Sequence, residues 1–141
     1  MFEPVVKFVV FDFDGTFTNC QFYVTSDGTQ IKAYNGKDSY GIKILYDLGV
    51  KTALLTSHDS DCFNHILKAN HFNKLDFFDK GSRNKIEVLN EWRIKLKLHW
   101  SQIAYIGDDL NDIECLKSVG IAGCPADAVP EVQDVCIFWR R

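Results

Sequence analysis

The sequence predicts an α/β fold in which helices cover both faces of a parallel β-sheet, giving three layers. Short apolar runs rich in β-branched and aromatic residues recur along the chain, as is typical of buried strands. Amphipathic segments of helical length separate these runs, and glycines and capping side chains mark the boundaries. Strands that alternate with helices are typical of right-handed parallel crossovers. We therefore expect a Rossmann-like sheet.

The bulk composition indicates one globular domain over residues 1–141. Hydrophobic residues make up 46% and charged residues 25%, both ordinary for a soluble protein. The net charge of −3 argues against a nucleic-acid partner held through its phosphates. No apolar run reaches membrane-spanning length and the first residues lack signal-peptide features, so we expect no membrane partner and a cytoplasmic protein. The five cysteines include no CxxC pair, which favours reduced thiols over a disulfide framework or a zinc site.

The first strand is predicted over residues 5–11, and two carboxylates follow it directly. Asp12 and Asp14 are two residues apart, so on an extended chain they share one face, and Gly15 lets the backbone curl the second over the strand end. Open α/β sheets bind their ligands at this end of their strands. Two neighbouring carboxylates repel unless a cation or a proton lies between them. Taken alone, the pair is also compatible with a simple turn.

A β-hairpin is predicted as an insert over about residues 17–34. Asp27-Gly28 separates two runs in which apolar and polar residues alternate, which is a strong hairpin signal. Residues 21–24 would pair with residues 30–34, just beyond the two acids. The hairpin is either decoration or a surface that pairs with another subunit.

The remaining elements follow from periodicity and capping. In order, they are a helix capped by Asp38-Ser39 and running to residue 48, a strand over 50–55, a helix over 58–70, a short strand over 77–78, a helix over 82–96, a strand over 103–106, a helix over 111–119, a short strand over 120–123, a helical turn over 127–133 and a last strand over 135–138.

Polar side chains recur where the predicted strands end. Asp12 and Asp14 end the first strand, Thr56 ends the second and Asp108-Asp109 end a later one. The carboxyl ends of parallel strands meet at one edge of a sheet, so these side chains should converge there. Surface carboxylates without a function would not be confined to strand ends.

The converging residues resemble a known family. The segment 12–18, Thr56, Lys85 and the segment 107–112 look like the four motifs of the haloacid dehalogenase superfamily of aspartate-nucleophile phosphatases. The hairpin in place of a cap domain, together with residues 34–42, resembles the capless branch. That branch includes the 3-deoxy-manno-octulosonate 8-phosphate phosphatases and the C-terminal module of animal N-acylneuraminate cytidylyltransferases. Residues 90–93, 114–120 and 125–128 are especially similar to the animal module.

The resemblance implies a covalent mechanism with Mg²⁺ as cofactor. Asp12 would attack phosphorus, and Asp14 would protonate the leaving oxygen and then deprotonate water. The metal would be bound by Asp12, the backbone carbonyl of Asp14 and Asp108. Thr56 would donate a hydrogen bond to the phosphoryl group, and Lys85 would neutralise Asp12 and the phosphate together.

Further roles follow from the same resemblance. Thr16, Ser57 and Lys37 would contact the substrate. Asp112 would orient Lys85 or a metal-bound water, and Asp109 would do the same or favour a helix N-terminus. Two of the departures from the branch lie close to the predicted site, where Ser57-His58 replaces Gly-Arg and Lys37 stands where an arginine is usual. Both changes remove a guanidinium that could grip an anion bidentately.

Two functions remain open. The first is a Mg²⁺-dependent phosphatase acting on a small phosphorylated sugar acid of the octulosonate or sialic-acid type, assembled as a homotetramer. The alternative is a catalytically weak or silent oligomerisation or regulatory module of an N-acylneuraminate cytidylyltransferase, for which a nuclear location is also compatible. A phosphoryl-accepting receiver domain is disfavoured, because the acid pair Asp12 and Asp14 ends the first strand.

Overall fold

A computed structural model describes residues 5–140, with side chains as far as Ile137. The strands are β1 (Phe8–Phe11), β2 (Tyr23–Val24), β3 (Gln30–Ile31), β4 (Lys51–Thr56), β5 (Phe77–Lys80), β6 (Ile103–Ile106), β7 (Ile121–Pro125) and β8 (Phe138–Arg140). Six of them form one parallel sheet in the order β5-β4-β1-β6-β7-β8. The predicted parallel α/β architecture is therefore confirmed.

Five α-helices connect the strands, which are α1 (Gly36–Asp47), α2 (Cys62–Ile66), α3 (Lys85–Leu96), α4 (Ile113–Ser118) and α5 (Pro130–Gln133). Short 3₁₀ helices occupy Asn70–Lys74, Trp100–Gln102 and Leu110–Asp112. No helix in residues 5–140 is long and apolar enough to cross a membrane.

The two faces of the sheet build two cores, because neighbouring residues of a strand point to opposite sides. Phe8 and Val10 of β1 face Leu89 and Trp92 of α3. The ring of Phe8 meets the ring of Trp92 edge-on, with centroids 6.4 Å apart. On the opposite face, Val9 packs in a cluster that includes Leu45 of α1. Burial on both faces explains why β1 is a nearly continuous apolar run.

The central position of β1 fixes where the functional residues meet. Phe11 is aligned with Leu54 of β4 on one side and with Ile106 of β6 on the other. The residues that follow these three strands therefore emerge side by side at the carboxyl edge of the sheet.

The first helix begins earlier than predicted. Asn35, and not Asp38-Ser39, caps α1, since its side chain accepts a hydrogen bond from the backbone N–H of Lys37. The third helix begins later than predicted, at Lys85, because Gly81 has a φ of 75° and the chain turns before the helix starts.

The helix predicted over residues 58–70 is broken. Only Cys62–Ile66 is α-helical, and Ala69, with an extended backbone (φ −95°, ψ 144°), separates it from the 3₁₀ helix Asn70–Lys74. No side chain caps the start of α2, so little local energy favours a longer helix. The last strand was also placed too early, because the N–H groups of Val135 and Cys136 bond back to Val132 and Gln133 and continue the turn after α5.

The hairpin forms at the predicted place but is shorter than expected. Its ladder consists of Tyr23 opposite Ile31 and Val24 opposite Gln30. Gly28 has a φ of 87°, which the turn requires and which glycine adopts without steric cost. So small a ribbon has little stability by itself and depends on contacts with the rest of the protein.

Candidate active site

A cleft of about 140 Å³ lies at the carboxyl edge of the sheet, where β1, β4 and β6 end. Its lining combines carboxylates, hydroxyls, an imidazole, a thiol and a carboxamide: Asp12, Asp14, Cys20, Thr56, Ser57, His58, Asp108, Asp109 and Asn111. Six of these residues were predicted from the sequence, and the structure brings them together as the strand-end argument required.

A buried ion-pair network forms the floor of the cleft. The ammonium of Lys85 donates to Oδ1 of Asp12 at 2.9 Å and to Oδ1 of Asp112 at 2.7 Å. The side chain of Lys85 is only 1% exposed, and those of Asp12 and Asp112 are 8% and 0% exposed. Lys85 is the first residue of α3, so the start of that helix carries its charge beneath the end of β1.

Asp112 is fully occupied by groups of the chain itself. Its Oδ1 also accepts from the hydroxyl of Tyr105 at 2.6 Å, and its Oδ2 accepts from the N–H groups of Asp108 and Asp109 at 3.1 and 3.2 Å. The absence of a side chain at Gly107 makes this possible, because a Cβ there would lie 2.5 Å from Cγ of Asp112. Asp112 therefore lies in direct contact with Lys85, and its role in orienting Lys85 or a metal-bound water stays a prediction.

Asp108 differs from Asp112 in having an unpaired oxygen. Its Oδ1 is buried and has no hydrogen-bond partner among the described residues. Oxygens of Asp12, Asp108 and Asp112 all lie within 4.8 Å of one another. An unpartnered carboxylate oxygen inside an acidic cluster is costly unless a cation lies beside it.

Carboxylates outnumber the ammonium groups that pair with this cluster among residues 5–137. Burial and the neighbouring carboxylate of Asp112 raise the pKa of Asp12 well above its usual value, and Lys85 offsets this only in part. Burial also raises the pKa of Asp108, with Asp112 and Asp109 adding to the effect. Burial opposes the charge on Lys85, yet Asp12 and Asp112 together raise its pKa. The cluster therefore holds three carboxylates, and the ammonium of Lys85 pairs with two of them, Asp12 and Asp112.

The wall formed after β4 supplies hydroxyl groups. Thr56 is buried, and its Oγ1 accepts from the N–H of His58 at 3.2 Å, so its own proton remains free to point elsewhere. The amide of Asn111 donates to Oγ of Ser57 at 3.0 Å, which joins this wall to the loop after β6.

Asp14 lies across the cleft from this floor and has a partner that the sequence reasoning missed. The ammonium of Lys32, which follows β3 of the hairpin, donates to both oxygens of Asp14 at 2.8 Å. Nδ1 of His58 lies 2.6 Å from the same ammonium and 3.4 Å from Oδ2 of Asp14. No local pattern signals this contact, because it joins three segments that are distant in sequence.

Two predicted substrate contacts, Thr16 and Lys37, are not among the residues that line the cleft. Lys37 is exposed in the first turn of α1, and Thr16 has a buried Oγ1 without a partner in the described part of the chain. Their roles remain predictions. Asp109 lines the cleft and also caps the 3₁₀ helix after β6, accepting from the N–H of Leu110 at 2.7 Å.

Comparison with known proteins agrees with this geometry. The model of the haloacid dehalogenase-like hydrolase family matches residues 23–139. The 3-deoxy-D-manno-octulosonate 8-phosphate phosphatase KdsC of Yersinia pestis is 29% identical over 89% of this chain, and N-acylneuraminate cytidylyltransferase A of Danio rerio is 28% identical over 88%. The chain spans 65% of the length of the first protein and 28% of the second.

A solved structure extends the comparison to the fold. The crystal structure of 3-deoxy-D-manno-octulosonate 8-phosphate phosphatase from Moraxella catarrhalis, in complex with magnesium ion, phosphate ion and KDO, superposes with a TM-score of 0.89. It is 25% identical, and the match covers 96% of this chain and 76% of that one. The family model matches most of the length of this chain, which therefore belongs to the haloacid dehalogenase-like hydrolases.

Proposed function

We propose that this protein is a Mg²⁺-dependent phosphomonoester hydrolase that acts through an aspartyl-phosphate. One observation carries the proposal above all others. The carboxylate of Asp12 lies in the cleft against the buried ammonium of Lys85, with Asp14 and Thr56 lining the same space. This arrangement offers a nucleophile, a second carboxylate for proton transfer and a hydroxyl donor around one phosphoryl group.

The proposed reaction has two steps. In the first, an oxygen of Asp12 attacks phosphorus, the bond from phosphorus to the substrate oxygen breaks, and Asp14 gives that oxygen a proton. In the second, water attacks the phosphorus, Asp14 takes a proton from it, and the Asp12 carboxylate is released together with phosphate. Lys85 keeps Asp12 close to the phosphate, and the hydroxyl of Thr56 donates a hydrogen bond to a phosphoryl oxygen.

The residues present fit a divalent cation. Asp108 offers a buried oxygen without a partner among the described residues, and the excess of carboxylates over ammonium groups calls for positive charge. Asp12, the backbone carbonyl of Asp14 and Asp108 would hold the ion, whereas Asp112 is already occupied. Mg²⁺ prefers such oxygen ligands, and when bound it stabilises the negative charge of phosphoryl transfer.

We further propose a small phosphorylated sugar acid as the substrate class. The support is the similarity to octulosonate phosphate phosphatases and to a cytidylyltransferase named for N-acylneuraminate, a sialic-acid-type sugar. His58 lines the cleft beside Ser57, where the resembled branch has an arginine, and offers a ring nitrogen at that position.

Phosphate release from a panel of phosphorylated sugar acids tests the proposal. The panel includes 3-deoxy-D-manno-octulosonate 8-phosphate and a phosphorylated N-acylneuraminate, each with Mg²⁺ and with EDTA. We expect release that needs Mg²⁺ and is lost in Asp12→Asn, with radiolabelled phosphate trapped on the wild-type protein only. Asp47→Asn, in an exposed pair with Lys43 on α1, is the matched control. Absence of release from every substrate would overturn the proposal.

A second candidate is an oligomerisation or regulatory module, which the match to the Danio rerio protein favours. The hairpin presents Tyr23 and Ile31 to solvent, 61% and 49% exposed and opposite one another in the ladder. Exposed apolar pairs of this kind are typical of contact surfaces. We propose that the hairpin joins copies of this chain in a tetramer, in either candidate. A protein that assembles but releases no phosphate would favour the module.

A further inference from the structure

Lys32 is a buried cation delivered to the active site by the hairpin. Its side chain is 1% exposed, although it follows the two-residue strand β3 in an otherwise exposed segment. Its ammonium lies over the rings of Phe13, Phe22 and Phe63, at 5.7, 4.8 and 5.2 Å from their centroids. Aromatic faces attract a cation, and they also exclude water from it.

A buried charge requires compensation, and Asp14 provides it. Both oxygens of Asp14 accept from the Lys32 ammonium at 2.8 Å. A carboxylate gripped at both oxygens has little rotational freedom, so this contact fixes the direction in which Asp14 faces. The carboxylate of Asp14 is 15% exposed and lines the cleft, whereas Lys32 is 1% exposed and is not one of the lining residues.

The same ammonium sets the orientation of His58. An ammonium has donors only, so Nδ1 of His58, 2.6 Å away, must accept, and the ring proton must reside on Nε2. Phe22 of the hairpin packs edge-on against the imidazole with centroids 5.5 Å apart. Two hairpin residues therefore hold one ring of the cleft wall in a single tautomer and orientation.

We propose that Lys32 is a positioning residue that holds Asp14 and His58 in the geometry needed for proton transfer and substrate contact. This inference rests on the proposed function for the role of Asp14. Lys32 acts through its two partners, because it does not itself line the cleft. The hairpin is then part of the catalytic apparatus and not only a contact surface.

Leaving-group dependence distinguishes this role from general support of the fold. An alkyl phosphate needs a proton on its leaving oxygen, whereas p-nitrophenyl phosphate has a leaving group that departs without one. Loss of the positioning of Asp14 should therefore slow the first step for the alkyl phosphate selectively. A merely structural defect would slow both substrates equally.

The experiment compares Lys32→Met with wild type in rapid-mixing assays with Mg²⁺. Methionine has a similar length and suits an aromatic surround, so we expect a folded protein. We expect release of alcohol from a phosphorylated sugar acid to fall by about 100-fold. The nitrophenolate burst should fall by less than about threefold, since that step needs no acid. Lys51→Met, in an exposed pair with Asp76 at the amino end of β4, is the matched control.

Equal losses for the two substrates, or none for either, would overturn the role of Lys32 and leave the proposed hydrolase intact. A wild-type protein inactive on every phosphate ester would overturn the proposed function instead. In that case ¹⁵N NMR still decides the positioning, in wild type alone and even if Lys32→Met fails to fold. We expect an unprotonated Nδ1 in His58 and a slowly exchanging Lys32 ammonium coupled to a carboxylate carbon. A protonated Nδ1, or no such coupling, would refute it.

Discussion

Gly15 and Asp108 are in such close contact that no side chain could stand between them. A Cβ placed on Gly15 would lie 1.7 Å from Oδ2 of Asp108. Gly15 also has a φ of 83°, which residues with a side chain adopt with difficulty. The turn after β1 and the turn after β6 therefore fit together only because residue 15 is glycine, and the acidic cluster depends on that fit.

We predict that Gly15→Ala disrupts the site and lowers stability. The methyl group would push Asp108 aside, and the strained backbone would cost about 1–3 kcal/mol. Mg²⁺ binding by calorimetry and phosphate release should both fall, the latter by about 100-fold for a displacement on the order of 1 Å.

Gly28→Ala is the control for this prediction. Gly28 has a similar φ of 87°, but a Cβ there meets no atom within 4 Å. Gly28→Ala should lower the free energy of unfolding through backbone strain without weakening Mg²⁺ binding. Equal effects of the two substitutions on binding would contradict the argument.

Removal of the Lys85 ammonium should destabilise the protein strongly. Lys85→Met leaves the buried carboxylates of Asp12 and Asp112 without their shared cation. Loss of one partner from a buried ion pair costs about 3–5 kcal/mol. Urea unfolding in EDTA measures this change.

Lys51→Met is the comparison, since Lys51 and Asp76 form a pair at the surface in which the lysine side chain is 53% exposed. That substitution should change the free energy of unfolding by less than about 1 kcal/mol. If the two substitutions lower the free energy of unfolding equally, the buried network contributes no more to stability than the surface pair.

Asp108→Asn should remove one pH-dependent contribution to stability and weaken the stabilisation by Mg²⁺. Because the pKa of Asp108 is raised in the folded, metal-free chain, its carboxyl group stays protonated to a higher pH there than in the unfolded chain. Stability in EDTA is therefore lost as pH rises from the usual value of 3.8 through the raised pKa. The asparagine variant lacks this loss.

Thermal unfolding measured from the usual pKa of 3.8 upward in pH tests this prediction. Wild type in EDTA should become less stable relative to Asp108→Asn as pH rises, and Mg²⁺ should stabilise wild type far more than the variant. Parallel pH curves, or equal stabilisation by Mg²⁺, would count against Asp108 as a ligand.

The exposed apolar pair of the hairpin, Tyr23 and Ile31, predicts that copies of this chain assemble with one another. The double substitution Tyr23→Ser and Ile31→Thr removes this exposed apolar pair, and neither residue lines the cleft. We expect light scattering to show a tetramer for wild type and smaller species for the double variant. Leu48→Ser, at an exposed leucine just after α1, should leave assembly unchanged. A monomeric wild type would refute the tetramer.

The order of elements and the place of the site could be read from the sequence. Apolar runs ending in Asp12, Thr56 and Asp108 imply parallel strands whose polar ends meet, because crossovers place all carboxyl ends at one edge. Element boundaries were less predictable. Asn35, and not Asp38-Ser39, caps the first helix. Turns occupy residues that were predicted to belong to the second helix and to the last strand. Such boundaries are hard to predict because several nearby side chains can satisfy the same backbone groups.

Two relationships were decided by the tertiary structure alone. The sequence left open whether Asp112 orients Lys85 or a metal-bound water, and only the packed structure shows that groups of the chain itself bond to both of its oxygens. Lys32 could have been a solvated hairpin lysine, and only the three aromatic rings and Asp14 make it a buried cation. The chain determines the faces and ends of its elements locally, whereas the partners of a long, flexible side chain depend on which distant segments pack around it.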